Sequence, residues 1–111
     1  MPIPLHQAKA ELFRTMGHPV RVRVLELLQD RPRTVRELLE EIDVEPSNLS
    51  QQLAVLRRAG LVSSAREGSS VRYALATSDV SDVMTAARRI LTELLSDRRD
   101  LLDELLAAPP A

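Results

Sequence analysis

Cysteine is absent from all 111 residues, which excludes disulfides, thiolate metal sites, thiol nucleophiles and cysteine redox switches together. Aromatic residues are nearly absent too: Phe13 and Tyr73 are the only two, and there is no tryptophan. The core must therefore be built from Leu, Val, Ile and Ala, a set that suits helices packed on helices. No run approaches the ~18 consecutive apolar residues of a membrane span, so no membrane partner is expected. The opening residues, Met1 to His6, lack a basic segment followed by an apolar one. No signal peptide is expected there, and a cytoplasmic location fits. A chain of this length accommodates one domain, 1–111, and a domain this small gains from extra burial in a dimer interface.

Charge of one sign is also lacking overall, since the formal net charge is −1. Its distribution is uneven. Residues 46–75 carry Arg57, Arg58, Arg66 and Arg72 against the single acid Glu67, whereas residues 76–111 carry four basic residues and seven acids. Counterion release on DNA depends on local phosphate contacts, so a net-neutral chain with a basic segment remains compatible with DNA binding.

Apolar spacing organises the chain. Leu5, Ala8, Leu12, Phe13 and Met16 make a helical stripe that Gly17 ends. His18-Pro19 starts a second helix through Val20, Val24, Leu25, Leu27 and Leu28. Thr34 and Glu37 have the spacing of a capping box and open a short helix reaching Ile42. After the turn Asp43–Pro46, a further helix carries Leu49, Leu53 and Leu56 inward and stops at Gly60. The period then changes: 61–66 and 71–75 read as two strands around Glu67-Gly68-Ser69-Ser70. Thr77-Ser78-Asp79 caps a last helix, whose stripe is interrupted by Ser96–Asp100 and resumes with Leu101, Leu102, Leu105 and Leu106. The tail 107–111 is expected to fray.

Two short helices joined by a tight turn and followed by a hairpin predict a mainly α fold. It is a winged helix-turn-helix of about five or six helices with a two-stranded wing. The helix-turn-helix covers about 34–60, the wing 61–75 and a C-terminal helix about 79–106. With Leu49 and Leu53 buried, Ser47, Asn48, Ser50, Gln51 and Gln52 are left on the outer face. Asn and Gln can bond adenine bidentately, and Ser suits a base or a phosphate. This face contains no acid, unlike an ordinary solvated face. Arg66 and Arg72 flank the hairpin turn, where both guanidiniums can reach phosphates or a minor groove. Arg57 and Arg58 either contact phosphate or complement the helix dipole. Arg33 and Arg36 are weaker phosphate candidates.

The run "SNLSQQLAVLRRAGLV" (47–62) with "SAREGSSVRYAL" (64–75) resembles the arsenic-repressor (ArsR/SmtB) family, and "MGHPVRVRVLELL" (16–28) is similar to that family's segment before the helix-turn-helix. The resemblance spans about residues 8–95. It implies a homodimeric winged helix repressor on double-stranded operator DNA, with the first and last helices forming the interface. It also aligns Ser47, Asn48, Ser50, Gln51 and Gln52 with the recognition helix and 66–72 with the wing. Gln52 departs from the family pattern, which often has His there, a departure that bears on operator preference and leaves the fold expectation intact.

The dimer also follows from the last helix alone. Val80, Ala87, Leu94 and Leu101 recur every seven residues, with Met84, Leu91 and Leu105 beside them. Together with Leu12 of the first helix, Val80, Met84, Ala87, Leu91 and Leu94 are the candidate interface residues, buried by a twofold mate. A dimer presents two recognition helices about one DNA turn apart. No metal or other cofactor is expected. The last helix offers Asp79, Asp82 and Glu93 without histidine, and His6 and His18 are twelve residues apart. Zinc-class metals need more nitrogen or sulfur than that. An organic ligand in the dimer cleft or a protein partner is the expected effector. No nucleophile–base set, phosphate loop or carboxylate pair points to an enzyme. The alternative is a dimeric module whose degenerate winged helix binds protein.

Overall fold

The computed structural model describes residues 2–107; Met1 and 108–111, most of the tail expected to fray, lie outside the described residues. In chain order the elements are α1 (Leu5–Met16), α2 (Pro19–Asp30), β1 (Arg33–Thr34), α3 (Val35–Glu41), α4 (Pro46–Arg58), β2 (Val62–Glu67), β3 (Ser70–Leu75) and α5 (Ser78–Ala107).

Local chemistry explains most boundaries. The His18 ring accepts a hydrogen bond from the Val20 amide at 3.2 Å, and Pro19, with no amide hydrogen to satisfy, opens α2. Thr34 accepts from the Glu37 amide at 3.2 Å while the Glu37 carboxylate accepts from the Thr34 amide at 3.0 Å. That reciprocal pair closes the capping box of α3. α4 ends into Gly60 at φ 80°, a left-handed conformation that glycine adopts without steric cost. Gly68, at φ 60°, turns β2 into β3 across a two-residue loop, as a type II′ turn requires at its first central position.

The chain divides into two compact units, one ending at Ser81 and one starting at Asp82. In the first, Val24, Leu25, Leu38, Leu49, Leu53 and Leu56 are the most deeply buried side chains, joined by Met16, Leu27, Leu28, Ile42, Leu61, Val62 and Val80. The core is aliphatic throughout; Phe13 is exposed and Tyr73 half-buried.

The sheet has three antiparallel strands in the order β1-β3-β2. The expected two-stranded hairpin is present, with Val62 opposite Leu75 and Glu67 opposite Ser70. The added strand, β1, pairs Arg33 with Tyr73 and Thr34 with Arg72. Two residues carry no alternation to read, and their strand character comes from the neighbouring edge of β3. α5 runs unbroken through Ser96–Asp100, since that segment contains neither Pro nor Gly. At 1.5 Å per residue its 30 residues extend about 45 Å. Ile90, Leu91, Leu94, Leu95, Leu101, Leu102, Leu105 and Leu106 are all more than half exposed. No described helix is long and apolar enough to cross a membrane.

Candidate nucleic-acid interface

α3 and α4 are joined by residues 42–45, and the buried face of α4 (Leu49, Leu53, Leu56) seats it in the first unit. Ser47, Ser50 and Gln51 project outward with no hydrogen-bond partner among the described residues, and Arg57 and Arg58 stand exposed in its last turn. No acid lies in the first turn of α4. Five side chains of one helix thus offer donors and acceptors to solvent without internal competition.

Asn48 and Gln52 differ from the sequence expectation. Both are half-buried, and Gln52 Nε2 donates to Asn48 Oδ1 at 2.9 Å. Gln52 Oε1 in turn accepts from Arg21 Nε of α2 at 2.8 Å, and Arg21 Nη1 donates to the Thr15 carbonyl at 2.8 Å. Gln52 is therefore committed inside the protein and not presented for a bidentate base contact. Arg21 is a residue that sequence reasoning missed: a contact 31 positions apart leaves no local periodic signal.

The two wing arginines also part company. Ala65 lies opposite Arg72 and Arg66 opposite Val71, and since facing residues share a face, Arg66 and Arg72 point to opposite sides of the hairpin. Arg66 is exposed and has no ion-pair partner among the described residues. Arg72 Nε donates to Glu67 Oε2 at 3.0 Å, and its Nη1 sits 3.8 Å from Glu37 Oε1. The wing is thereby tied to the first turn of α3. Glu37 is the hub: it caps α3, pairs with Arg31 at 2.8 Å and faces Arg72. Hydrogen bonds from the Thr34 backbone and the Arg31 guanidinium hold its carboxyl down to about 2, against an ordinary 4.5. Arg36 is exposed. Arg33 is largely covered, pairs with Asp30 at 3.3 Å and leaves its Nε buried without a partner, so it is not presented for phosphate.

Of the candidate interface residues, Leu12, Ala87, Leu91 and Leu94 are exposed and Met84 is half-buried. Val80 is not available to a mate: at 4% exposure it belongs to the core, because it lies in the first turn of α5. Among the described residues no group of three or more His, Asp or Glu side chains converges as a metal site would require.

Two helices, a tight turn and a wing hairpin, with an acid-free polar helix face outward, define a winged helix-turn-helix of the kind found in transcriptional regulators. The profile of "Bacterial regulatory protein, arsR family" matches residues 18–64. The chain is 48% identical over 109 residues to the uncharacterized HTH-type transcriptional regulator Rv0081 of Mycobacterium tuberculosis, covering 97% of this chain and 96% of that one. The crystal structure of Rv0081 superposes with a TM-score of 0.81, covering 87% of this chain and 98% of that chain at 49% identity. The biofilm growth-associated repressor of Agrobacterium fabrum is 33% identical over 90 residues, 78% of this chain and 77% of its own. A homodimeric winged helix-turn-helix DNA-binding domain from Mycobacterium bovis, Mb0332, superposes with a TM-score of 0.75 at 25% identity, over 84% of this chain and 86% of that one. The chain belongs to the ArsR family of bacterial regulatory proteins, whose members are transcriptional regulators and not enzymes.

Proposed function

We propose that the chain binds an inverted-repeat operator as a homodimer and represses transcription from it. The carrying observation is the acid-free outer face of α4, where Ser47, Ser50, Gln51 and Arg57 are exposed and unpaired among the described residues. α4 enters the major groove, Gln51 reads a base edge, and Ser47, Ser50 and Arg57 contact base or phosphate. Arg66 reaches a flanking phosphate from the wing, while Arg72 holds the wing against α3. In this reading residues 1–111 are one functional domain, with the helix-turn-helix at about 34–60, the wing at 61–75 and the dimerisation helix at about 79–106.

The mate is a second copy. A row of leucines from Leu91 to Leu106 more than half exposed is too much apolar surface for a free helix, and Leu12 and Phe13 of α1 are exposed as well. Mb0332, which shares the fold, is homodimeric, and the related biofilm growth-associated protein is a repressor. Action on operator DNA places the protein in the cytoplasm. Its switch is an organic ligand or protein partner, because the donor set for zinc-class metals is missing.

Selection of bound duplexes from a random pool tests the reading. An inverted repeat with half-sites one helical turn apart is expected, and Gln51→Ala should reduce its discrimination against random DNA by about 1–3 kcal/mol. A dimer that enriches no sequence would instead identify a protein-binding module.

A further inference from the structure

We propose that Arg21 sets the base preference of α4 by fixing the polarity of the relay Arg21–Gln52–Asn48, so that Asn48 offers DNA its amide NH2 group ahead of its carbonyl. The proposal rests on α4 being the reading helix. Its logic begins at the arginine, whose guanidinium has donors and no acceptor. Because Arg21 Nε points at the Gln52 amide at 2.8 Å, the atom receiving it must be Oε1. Gln52 Nε2 must then face Asn48, and only Asn48 Oδ1 can accept from it, at 2.9 Å. The amide orientations, ordinarily ambiguous, are dictated by one cation. The relay is anchored in turn: Arg21 Nη1 donates to the Thr15 carbonyl at 2.8 Å, one of the carbonyls that the end of α1 leaves without a helical partner.

What remains for a ligand is the Asn48 Nδ2 amino group and one lone pair of Oδ1. Among the described residues that amino group makes no hydrogen bond, and it is not among the buried unpartnered atoms, so part of its surface reaches solvent. A free asparagine suits adenine, whose N7 accepts while its N6 donates, and that pairing needs the asparagine carbonyl and amide side by side. With its carbonyl turned toward Gln52 and one of its two lone pairs taken, Asn48 presents donors ahead of acceptors, which suits an edge that only accepts: guanine, with N7 and O6. Arg21 and Gln52 act through Asn48 and are positioning residues.

The test measures relative affinity for half-sites carrying each base at the position where Asn48→Ala abolishes preference. The wild-type protein should favour guanine over adenine there by about fivefold or more. Arg21→Gln, which can adopt either polarity, should bring that ratio close to one. Arg21→Lys, still a pure donor toward Gln52, should largely retain it. Gln52→Glu is the sharpest variant. Its carboxylate still accepts from Arg21 but cannot donate, so Asn48 must turn its NH2 inward and its carbonyl outward, and preference should move to edges that donate. The added charge weakens binding to all sequences alike and leaves the ratio readable. Retention of the guanine preference in both Arg21→Gln and Gln52→Glu, with folding verified by thermal melting, would overturn the proposal. So would an Asn48→Ala protein with unaltered base preference; the general role of α4 would then still be judged by Gln51→Ala. If Gln51→Ala were also silent, the reading-helix assignment itself would fall.

Discussion

Arg66 and Arg72 flank the same turn, yet their removal should have unequal consequences on DNA. Each phosphate contact contributes about 0.9 to the slope of log affinity against log salt. Arg66 is exposed and free, so Arg66→Ala should lower that slope by nearly the full amount. Over a fourfold rise in salt, such as 50 to 200 mM, the variant should then lose about 3.5-fold less affinity than wild type. Arg72 starts from a different state, 3.0 Å from Glu67, 3.8 Å from Glu37 and on the opposite face of the hairpin. Arg72→Ala should change the slope by much less, while costing only the small stability of two partly exposed ion pairs. Glu67→Gln provides the converse: it removes a carboxylate from the wing and releases the guanidinium, so binding should tighten on every sequence and become more salt-dependent. Fluorescence anisotropy of labelled operator and of random duplex at four or five salt concentrations gives all the slopes. Equal slope losses for Arg66→Ala and Arg72→Ala would refute the argument, because Arg72 would then exchange its carboxylates for phosphate on binding.

Leu94→Glu sets an unpaired charge in the exposed leucine row of α5, and burying such a charge is strongly unfavourable. Light scattering should show monomer with weakened operator binding, and a fully dimeric variant would move the interface elsewhere. Glu37 gives a pH signature: its carboxyl is depressed to about 2 from 4.5, so its stabilisation is complete above about 4.5 and is lost as pH falls toward 2. Urea midpoints of wild type and Glu37→Gln should thus differ most at neutral pH and converge in acid; a constant gap would disprove the linkage. Operator affinity should not respond to micromolar zinc, nickel or copper after chelation, given the absent donor set. A saturable, stoichiometric loss of binding with one metal would contradict this.

Much of the architecture is written in short-range chemistry. Leucines three and four apart define α4, Thr34 with Glu37 announces the start of α3, Gly60 stops α4, and Gly68 permits the hairpin. Each of these features lies within one or two turns of chain, so neighbouring residues suffice to determine it. The outer face of α4 was legible for the same reason, since burying Leu49 and Leu53 leaves Ser47, Ser50 and Gln51 outside. The tertiary structure alone decided what those polar groups are free to do. β1 exists because β3 offers it an edge, Arg72 is drawn to Glu37 across 35 positions, and Gln52 is claimed by Arg21 across 31. A charged or amide side chain of this length reaches several partners equally well from sequence. The choice is made only when distant segments meet, because a hydrogen bond depends on ångström-scale geometry and not on residue type.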